Sequence, residues 1–189
     1  MKKKVAIFAS GTGSNFERIA DDARLAEWME IAVLVCDQPQ ATVIEKAHQR
    51  QIATYVFSAR DFSDKQAYEQ AILTRVADCD FICLAGYMRL LSPYFLAQYA
   101  KPILNIHPSL LPAYKGKDAI QQAYQAGEQR LGISIHYVNE EMDGGEVIAQ
   151  AALERLPDET LAEVTARIHQ LEHQLYPEVI LEHVKGDNK

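Results

Sequence analysis

The feature that most constrains the fold is an alternation, over the first 107 residues, of short apolar runs with longer segments of helical character. The apolar runs are unbroken, as is typical of strands buried on both faces of a parallel sheet. They read VAIFAS, IAVLVC, ATYVF, FICLAG and PILNIH, with helices predicted at roughly 14–26, 40–50, 63–78 and 92–100. This pattern predicts an α/β fold in which a mostly parallel twisted sheet carries helices on both faces.

The pattern changes after residue 130, where GISIHYV and EVIAQAAL are separated by a Gly-rich DGG stretch. Two extended segments joined in this way predict an antiparallel extension of the sheet. A long helix is expected from about Asp158 to His183, and Pro177 should kink or interrupt it. There is no internal repeat or linker, so residues 1–189 are predicted to form a single domain.

Composition and charge exclude several classes of protein. The net charge of −7 argues against a broad nucleic-acid surface, since phosphate binding depends on Lys and Arg. No apolar run approaches the ~20 residues that a membrane helix needs. Cys36, Cys79 and Cys83 lie in or beside apolar runs without the paired spacing of a zinc site. Buried, reduced thiols in a cytoplasmic protein are therefore expected.

A glycine loop follows the first predicted strand in VAIFASGTGSNF. Gly11 and Gly13 permit close backbone approach, while Ser14 and Asn15 add side-chain donors suited to one terminal phosphate. Phe16 stands where a dinucleotide fingerprint requires glycine, and the loop lacks the Lys of a Walker A motif. The loop therefore predicts a phosphate site, or else a plain strand-to-helix turn in which Ser14 or Asn15 caps the helix.

The stretch LNIHPSLLP places two polar residues in an apolar run. In a strand, Asn105 and His107 share one face because side chains alternate, and Pro108 ends the ladder just beyond them. The two side chains should therefore converge at a strand end that a ligand can approach. The alternative is a hydrogen-bonded pair that merely finishes the strand.

A carboxylate could complete this pair from the distant segment EEMDGGEVI. Gly144 and Gly145 would allow the loop to deliver Asp143 into a cleft, where it would favour the imidazolium form of His107. Asn105 could then donate to an oxyanion and His107 to a departing nitrogen, which suits acyl transfer without a protein nucleophile. The alternative is a simple Asp-Gly hairpin turn.

Five segments in the same order resemble the glycinamide ribonucleotide formyltransferase family over nearly the whole chain. They read ASGTGSNF, LAGYMRLLSP, LNIHPSLLPAYKG, SIHYVNEEMDGGEVIAQ and LEHQLYP. The resemblance implies a Rossmann-like formyltransferase fold. It also implies transfer of a formyl group from 10-formyltetrahydrofolate to the amine of 5-phosphoribosylglycinamide in purine biosynthesis, with no metal. We expect a monomer or a homodimer that acts on small molecules. Neither nucleic acid nor a membrane is expected as a partner.

The resemblance also implies roles for individual residues. It makes Asn105, His107 and Asp143 catalytic. It assigns phosphoribosylglycinamide binding to the N-terminal half and to one late residue: Gly11, Thr12, Gly13, Ser14, Asn15 and Glu172. It assigns folate binding and catalysis to the C-terminal half. The folate-binding residues that it implies are Lys65, Met88, Arg89, Leu90, Leu91, Asn105, Val138, Glu140, Glu141, Met142 and Asp143. Arg89 has a structural alternative, a salt bridge beside a strand end, and Lys115-Gly116 departs from the Pro-Gly pair common in relatives.

Other functions are weighed against this one. Methionyl-tRNA formyltransferase and formyltetrahydrofolate hydrolase share the catalytic core, but each normally carries an additional domain. A catalytically silent sensor of a phosphosugar or folate would keep the binding residues without turnover. His169 and His173 lie one helical turn apart but lack the Glu of an HExxH motif, so a packed or solvated face is favoured over zinc. His136 is expected at the pocket edge.

Overall fold

Residues 1–186 are described in the computed structural model, and the seven strands among them form one sheet. The strands are β1 (Lys3–Phe8), β2 (Met29–Cys36), β3 (Thr54–Val56), β4 (Phe81–Leu84), β5 (Ile103–His107), β6 (Arg130–Tyr137) and β7 (Val147–Glu154). Their order across the sheet is β3-β2-β1-β4-β5-β6-β7. The last three residues of the predicted domain, 187–189, lie outside the described residues.

Strand directions divide the sheet into two parts. The five strands from β3 to β5 pair in parallel. β6 and β7 then add antiparallel to β5 and to each other. The fold class predicted from the sequence, a mostly parallel sheet with a late antiparallel extension, is confirmed.

The sheet has a topological switch between β1 and β4. The chain builds outward from β1 through β2 to β3, then returns to place β4 on the other side of β1. In open α/β sheets ligands bind in the crevice outside the carboxyl ends of the strands at such a point. Here the loops leaving β1 and β4 meet, and the Ser10 N–H donates to the Gly86 carbonyl at 3.0 Å.

Helices cover both faces of the sheet. They are α1 (Ser14–Ala20), α2 (Ala23–Ala26), α3 (Val43–Gln49), α4 (Lys65–Val76), α5 (Pro93–Gln98), α6 (Ala119–Gln125) and α7 (Leu161–Gly186), with a 3-10 turn at Ala59–Asp61. Side chains of β1 alternate between two cores. Val5 and Ile7 pack in the core that contains Ile180 of α7, whereas Phe8 packs in the core that contains Phe95 of α5.

The helix predicted at 14–26 is two helices. The Asp22 side chain accepts a hydrogen bond from the Arg24 N–H and so caps α2, which starts a new helix where one continuous helix was expected. Helix α6 was not predicted, because it is short and enclosed in a polar loop. Helix α7 begins after Thr160, whose hydroxyl accepts from the Glu163 N–H at 3.3 Å in a capping box, and not at Asp158.

Of the two outcomes predicted for Pro177, the interruption of the last helix is wrong, because α7 continues through this residue to Gly186, and the kink stays a prediction. Proline removes one backbone donor, a local cost that packing can offset. Its neighbours Tyr176, Val179 and Ile180 are buried, and the Tyr176 hydroxyl lies 2.9 Å from the Leu84 carbonyl oxygen. Tertiary contacts on both sides therefore hold the helix together.

The cysteines are buried and free, as the sequence predicted for Cys36, Cys79 and Cys83. Burial raises the pKa of the Cys79 thiol to about 11 and that of the Cys83 thiol to about 12. Both therefore stay protonated and act as small apolar side chains. No helix within residues 1–186 has the length and apolar character to cross a membrane.

Candidate active site

A cleft of about 810 Å³ lies at the carboxyl ends of β1, β4 and β5. Most of the predicted site residues line it: Gly11, Thr12, Gly13, Ser14, Asn15, Met88, Arg89, Leu90, Leu91, Asn105, His107, Val138, Glu141, Met142, Asp143 and Glu172. Lys65 and Glu140 do not line it, and for every residue of the set contact with a substrate remains a prediction. Segments far apart in sequence thus share one cavity.

One end of the cleft is the glycine loop, which we call the phosphate end after its predicted role (residues 11–15 with Glu172). Gly13 has a left-handed backbone with φ of 75°, and an added Cβ would lie 2.4 Å from Cγ2 of Val43. The Val43 N–H also donates to the Gly11 carbonyl at 3.2 Å, which ties the loop to α3. Gly13, with no side-chain cap, is the N-cap of α1, so the capping alternative for Ser14 or Asn15 does not describe this loop.

Asn15 and Glu172 form a buried pair in this end of the cleft. The Asn15 amide donates to Glu172 Oε2 at 3.3 Å, and the Asn15 Oδ1 atom is buried without a hydrogen-bond partner. Burial raises the pKa of Glu172 to about 7, although the hydrogen bond from Asn15 opposes this shift. Near neutral pH the carboxyl group is therefore close to half protonated.

At the other end, which we call the catalytic end (Asn105, His107, His136 and Asp143), the structure brings the three predicted catalytic residues together. Asp143 Oδ2 lies 3.5 Å from Nδ1 of His107, and Asp143 Oδ1 lies 3.6 Å from Nε2 of His136. Asn105 and His107 both reach the cleft from β5. The carboxylate thus stands between two imidazoles, one from each of two adjacent strands.

Backbone geometry fixes the position of Asp143. Its φ is 49°, and the Gly116 N–H donates to its Oδ2 atom at 2.8 Å. Close packing requires Gly145, since a Cβ there would lie 1.7 Å from the Tyr137 carbonyl oxygen. Burial alone would raise the pKa of Asp143. The His136 imidazole, the Gly116 N–H and the charge of His107 outweigh burial and lower the pKa, so the group is a carboxylate at neutral pH.

His136 connects the members of the catalytic end. It pairs with Asn105 across β5 and β6. Its Nδ1 lies 2.8 Å from the Tyr137 carbonyl, which can only accept, so Nδ1 carries a proton. In the neutral ring Nε2 then accepts from the Asn105 amide at 3.1 Å. The sequence placed His136 at the pocket edge. Its contact with Asn105 left no sequence signal, because the register of β5 against β6 is set only in the folded sheet.

The loop at residues 114–118 covers His107. Nε2 of His107 lies 2.8 Å from the Tyr114 carbonyl and by the same argument carries a proton, which leaves Nδ1 facing Asp143. Tyr114, Gly116 and Asp118 all have left-handed backbones, with φ of 52°, 82° and 55°. Such conformations cost free energy and concentrate at functional sites. Lys115-Gly116 stands where relatives commonly carry a Pro-Gly pair. This difference therefore lies in the segment that holds Asp143 through the Gly116 N–H.

A third region, which we call the folate wall after its predicted role (residues 87–91), follows β4. The side chains of Met88 and Leu90 are 64% and 50% exposed and offer apolar surface to a planar ligand. Nζ of Lys65 donates to the Leu90 carbonyl at 2.6 Å, so this ammonium group contacts the wall itself. Arg89 Nε donates to Asp37 Oδ2 at 2.7 Å, which is the salt bridge that the sequence left open.

Other residues of the cleft were missed or assigned elsewhere. Leu161, Thr165 and His169 of α7 line it, although the sequence suggested His169 only as part of an unlikely zinc pair. Their helical spacing was the available signal, but it equally fits a packed face. Within residues 1–186 no group of three or more His, Cys, Asp or Glu side chains is arranged to hold a metal ion.

Known proteins share the sequence and the fold of this chain. A family model described as formyl transferase matches residues 3–180. The chain is 49% identical over 181 residues to the phosphoribosylglycinamide formyltransferase of Bacillus subtilis (strain 168), an alignment that covers 94% of this chain and 93% of that protein. It is 36% identical over 179 residues to the Escherichia coli (strain K12) protein of the same name, covering 93% and 84%.

Solved structures give the same result. Glycinamide ribonucleotide transformylase 1 from Geobacillus kaustophilus is 47% identical, with a TM-score of 0.92, over 97% of this chain and 100% of that chain. The phosphoribosylglycinamide formyltransferase from Bacillus halodurans is 40% identical, with a TM-score of 0.93, over 98% and 97%. The likeness therefore extends over the whole sheet and the segments that form the cleft.

Proposed function

The chain belongs to the formyl transferase family, and from this premise we propose that it is a phosphoribosylglycinamide formyltransferase. It transfers a formyl group from 10-formyltetrahydrofolate to the amine of 5-phosphoribosylglycinamide, a step of purine biosynthesis. The observation that carries this proposal is a single cleft with a phosphate-type glycine loop at one end and the Asn105, His107 and Asp143 cluster at the other.

The two substrates occupy different walls of this cleft. The phosphate group lies against backbone and side-chain donors of residues 11–15, where Gly11 and Gly13 leave room for it. Glu172 lies beside the ribose and glycinamide, supported by its place in the cleft next to Asn15. The pterin lies between the folate wall and the segment from Val138 to Asp143, which includes exposed Met142. This division follows the N-terminal and C-terminal halves only in part, because Glu172 serves the phosphate end.

The transfer needs no protein nucleophile. The glycinamide amine attacks the formyl carbon, forming a new C–N bond and placing negative charge on the formyl oxygen. Collapse of this intermediate breaks the bond between the carbon and N10 of the folate. N10 leaves with a proton, and the attacking nitrogen loses one, so no net proton is consumed.

Asn105 and His107 stabilise the developing charge. The Asn105 amide has two N–H groups, and only one is needed for the bond to His136. The second is a donor for the formyl oxyanion. For His107 to donate to the oxyanion or to N10, its Nε2–H must leave the Tyr114 carbonyl. We propose that substrate binding displaces this contact by moving loop 114–118.

Asp143 orients the cluster. Its lowered pKa makes it a carboxylate at neutral pH, and its two oxygens lie 3.5 Å from Nδ1 of His107 and 3.6 Å from Nε2 of His136. It can therefore hold His107 as a proton donor and pass a proton from the attacking amine through water.

The test is a formyl-transfer assay with purified protein, followed by the absorbance change of the folate. Product formation should require both 10-formyltetrahydrofolate and phosphoribosylglycinamide. Folate consumption without the amine would identify a hydrolase, and binding of either ligand without turnover would identify a sensor. Either outcome would reject the proposal. A cytoplasmic location and a monomeric or homodimeric state remain predictions; sedimentation analysis would decide between monomer and homodimer.

A further inference from the structure

Asp37 is a buried carboxylate that lies outside the cleft but is bonded to two segments that form it. It follows directly after β2, and only 3% of its surface is exposed. Neither the glycine loop nor the folate wall contains it. A charge buried in this way is costly unless it is paired and hydrogen-bonded, so its partners show what it holds in place.

The partners of Asp37 come from both sides of the switch point. The Ser10 hydroxyl donates to Asp37 Oδ1 at 2.5 Å, and Arg89 Nε donates to Oδ2 at 2.7 Å. Gln38 Nε2 adds a donor to Oδ2 at 3.2 Å. Both carboxylate oxygens are thus occupied.

Ser10 extends this arrangement to the backbone of the folate wall. Because its single proton is donated to Asp37, its oxygen accepts from the Met88 N–H, at 2.9 Å. Ser10 directly precedes the glycine loop, and Met88 and Arg89 belong to the wall. One carboxylate therefore ties the start of the phosphate end to two consecutive residues of the folate wall. Lys65 also contacts this wall, through the Leu90 carbonyl.

From these contacts we infer that Asp37 is a positioning residue for the folate subsite. It sets the place of residues 88 and 89 relative to the glycine loop, and so the width of the cleft where the pterin enters. This inference rests on the proposed function, because it concerns affinity for the folate. Asp37 itself does not line the cleft.

A purely stabilising ion pair is the competing explanation, and the chain offers a matched control. Glu159 pairs with Arg167 at 2.8 Å, with side-chain exposures of 4% and 32%. The corresponding values for Asp37 and Arg89 are 2.7 Å, 1% and 32%. Glu159 does not line the cleft. Loss of either acid removes a similar ion pair, but only the loss of Asp37 should disturb folate binding.

The experiment compares Asp37→Ala, Asp37→Asn, Ser10→Ala and Glu159→Ala. For each variant we would measure KM for both substrates, kcat, the melting temperature, and the Kd of tetrahydrofolate by calorimetry. Asp37→Ala should raise the folate KM and the tetrahydrofolate Kd by about tenfold, as expected for loss of hydrogen bonds to a charged group. The phosphoribosylglycinamide KM should change less, and Glu159→Ala should lower the melting temperature while leaving both KM values unchanged.

Two further variants keep the test decisive. Asp37→Asn retains an acceptor for the Ser10 hydroxyl and should recover part of the folate affinity. Ser10→Ala removes the link to Met88 with little change in volume and should weaken folate binding even if Asp37→Ala fails to fold. Folate affinity within about twofold of wild type in Ser10→Ala and in any folded Asp37→Ala would overturn the inference. Wild-type protein that neither binds folate nor transfers formyl would instead reject the proposed function.

Discussion

Two carboxyl groups that line the cleft, Asp143 at the catalytic end and Glu172 at the phosphate end, have opposite electrostatic environments. Asp143 accepts from a backbone N–H and lies between two imidazoles, and its pKa is lowered. Glu172 has one amide partner at 3.3 Å, and burial raises its pKa to about 7. The same chemical group is thus held charged at one end and near its titration point at the other.

The difference shows how the two ends are built. The catalytic end is a network in which every charged member has a partner supplied by another element of the fold. The phosphate end consists mainly of backbone groups. Its one ionisable side chain, Glu172, has a hydrogen bond from Asn15, and the substrate can supply another partner. Changes at the catalytic end should therefore act on the chemical step, and changes at the phosphate end on substrate affinity and on stability.

The largest effect is expected for His107→Ala. Loss of a positioned proton donor typically costs ~100- to 10,000-fold in rate, so kcat should fall by about this factor. Affinity for phosphoribosylglycinamide, measured by calorimetry, should stay within about threefold of wild type because the other end of the cleft is untouched. His48→Ala, an exposed histidine of α3, is the control and should be inert. Unchanged turnover in His107→Ala would remove this residue from the chemistry.

The next largest effect is expected for Glu172→Gln, in the pH dependence of the free energy of unfolding. Because the pKa of Glu172 is raised in the folded state, the unfolded chain loses this proton first, and stability falls as pH rises from about 4.5 to about 7. Glu172→Gln removes this cost and should be more stable than wild type by up to about 3 kcal/mol near pH 8, with little difference near pH 4.5. Urea unfolding of both proteins near pH 4.5 and near pH 8 measures this difference in the free energy of unfolding.

Asp143→Asn tests the catalytic end, where the pH dependence of stability should have the opposite direction. A lowered pKa contributes stability above the unfolded value of 3.8 and loses it as pH falls. Asp143→Asn should therefore be less stable than wild type at neutral pH, with the gap closing in acid. A stability difference for either variant that is independent of pH would contradict this account of the two ends.

The smallest effect is expected for Gly13→Ala, which should raise the KM for phosphoribosylglycinamide by about tenfold while leaving kcat nearly unchanged. The added methyl meets Val43 at 2.4 Å and must move the loop. Gly127→Ala is the matched control, because its φ of 77° carries the same backbone penalty with nothing within 4 Å of the new Cβ. Equal effects of the two variants would show that backbone strain, and not the shape of the phosphate end, is responsible.

Much of the fold could be predicted because its signals are local. Unbroken apolar runs identified the parallel strands, and the alternation of side chains placed Asn105 and His107 on one face of β5. The errors came where neighbours in space outweigh neighbours in sequence. The Asp22 cap divides one predicted helix, and the packing of Tyr176 keeps α7 continuous past Pro177.

By itself the sequence determined the order of the strands and of most helices along the chain, the glycine loop and the residue types available for formyl transfer, because periodicity and motifs depend on nearby residues. Only the tertiary structure decided that Asp143 stands between His107 and His136, that Glu172 titrates near neutrality, and that Asp37 joins two walls of one cleft. Hydrogen-bond partners and pKa values are set by burial and by groups that the folded chain brings together, and no local pattern records these.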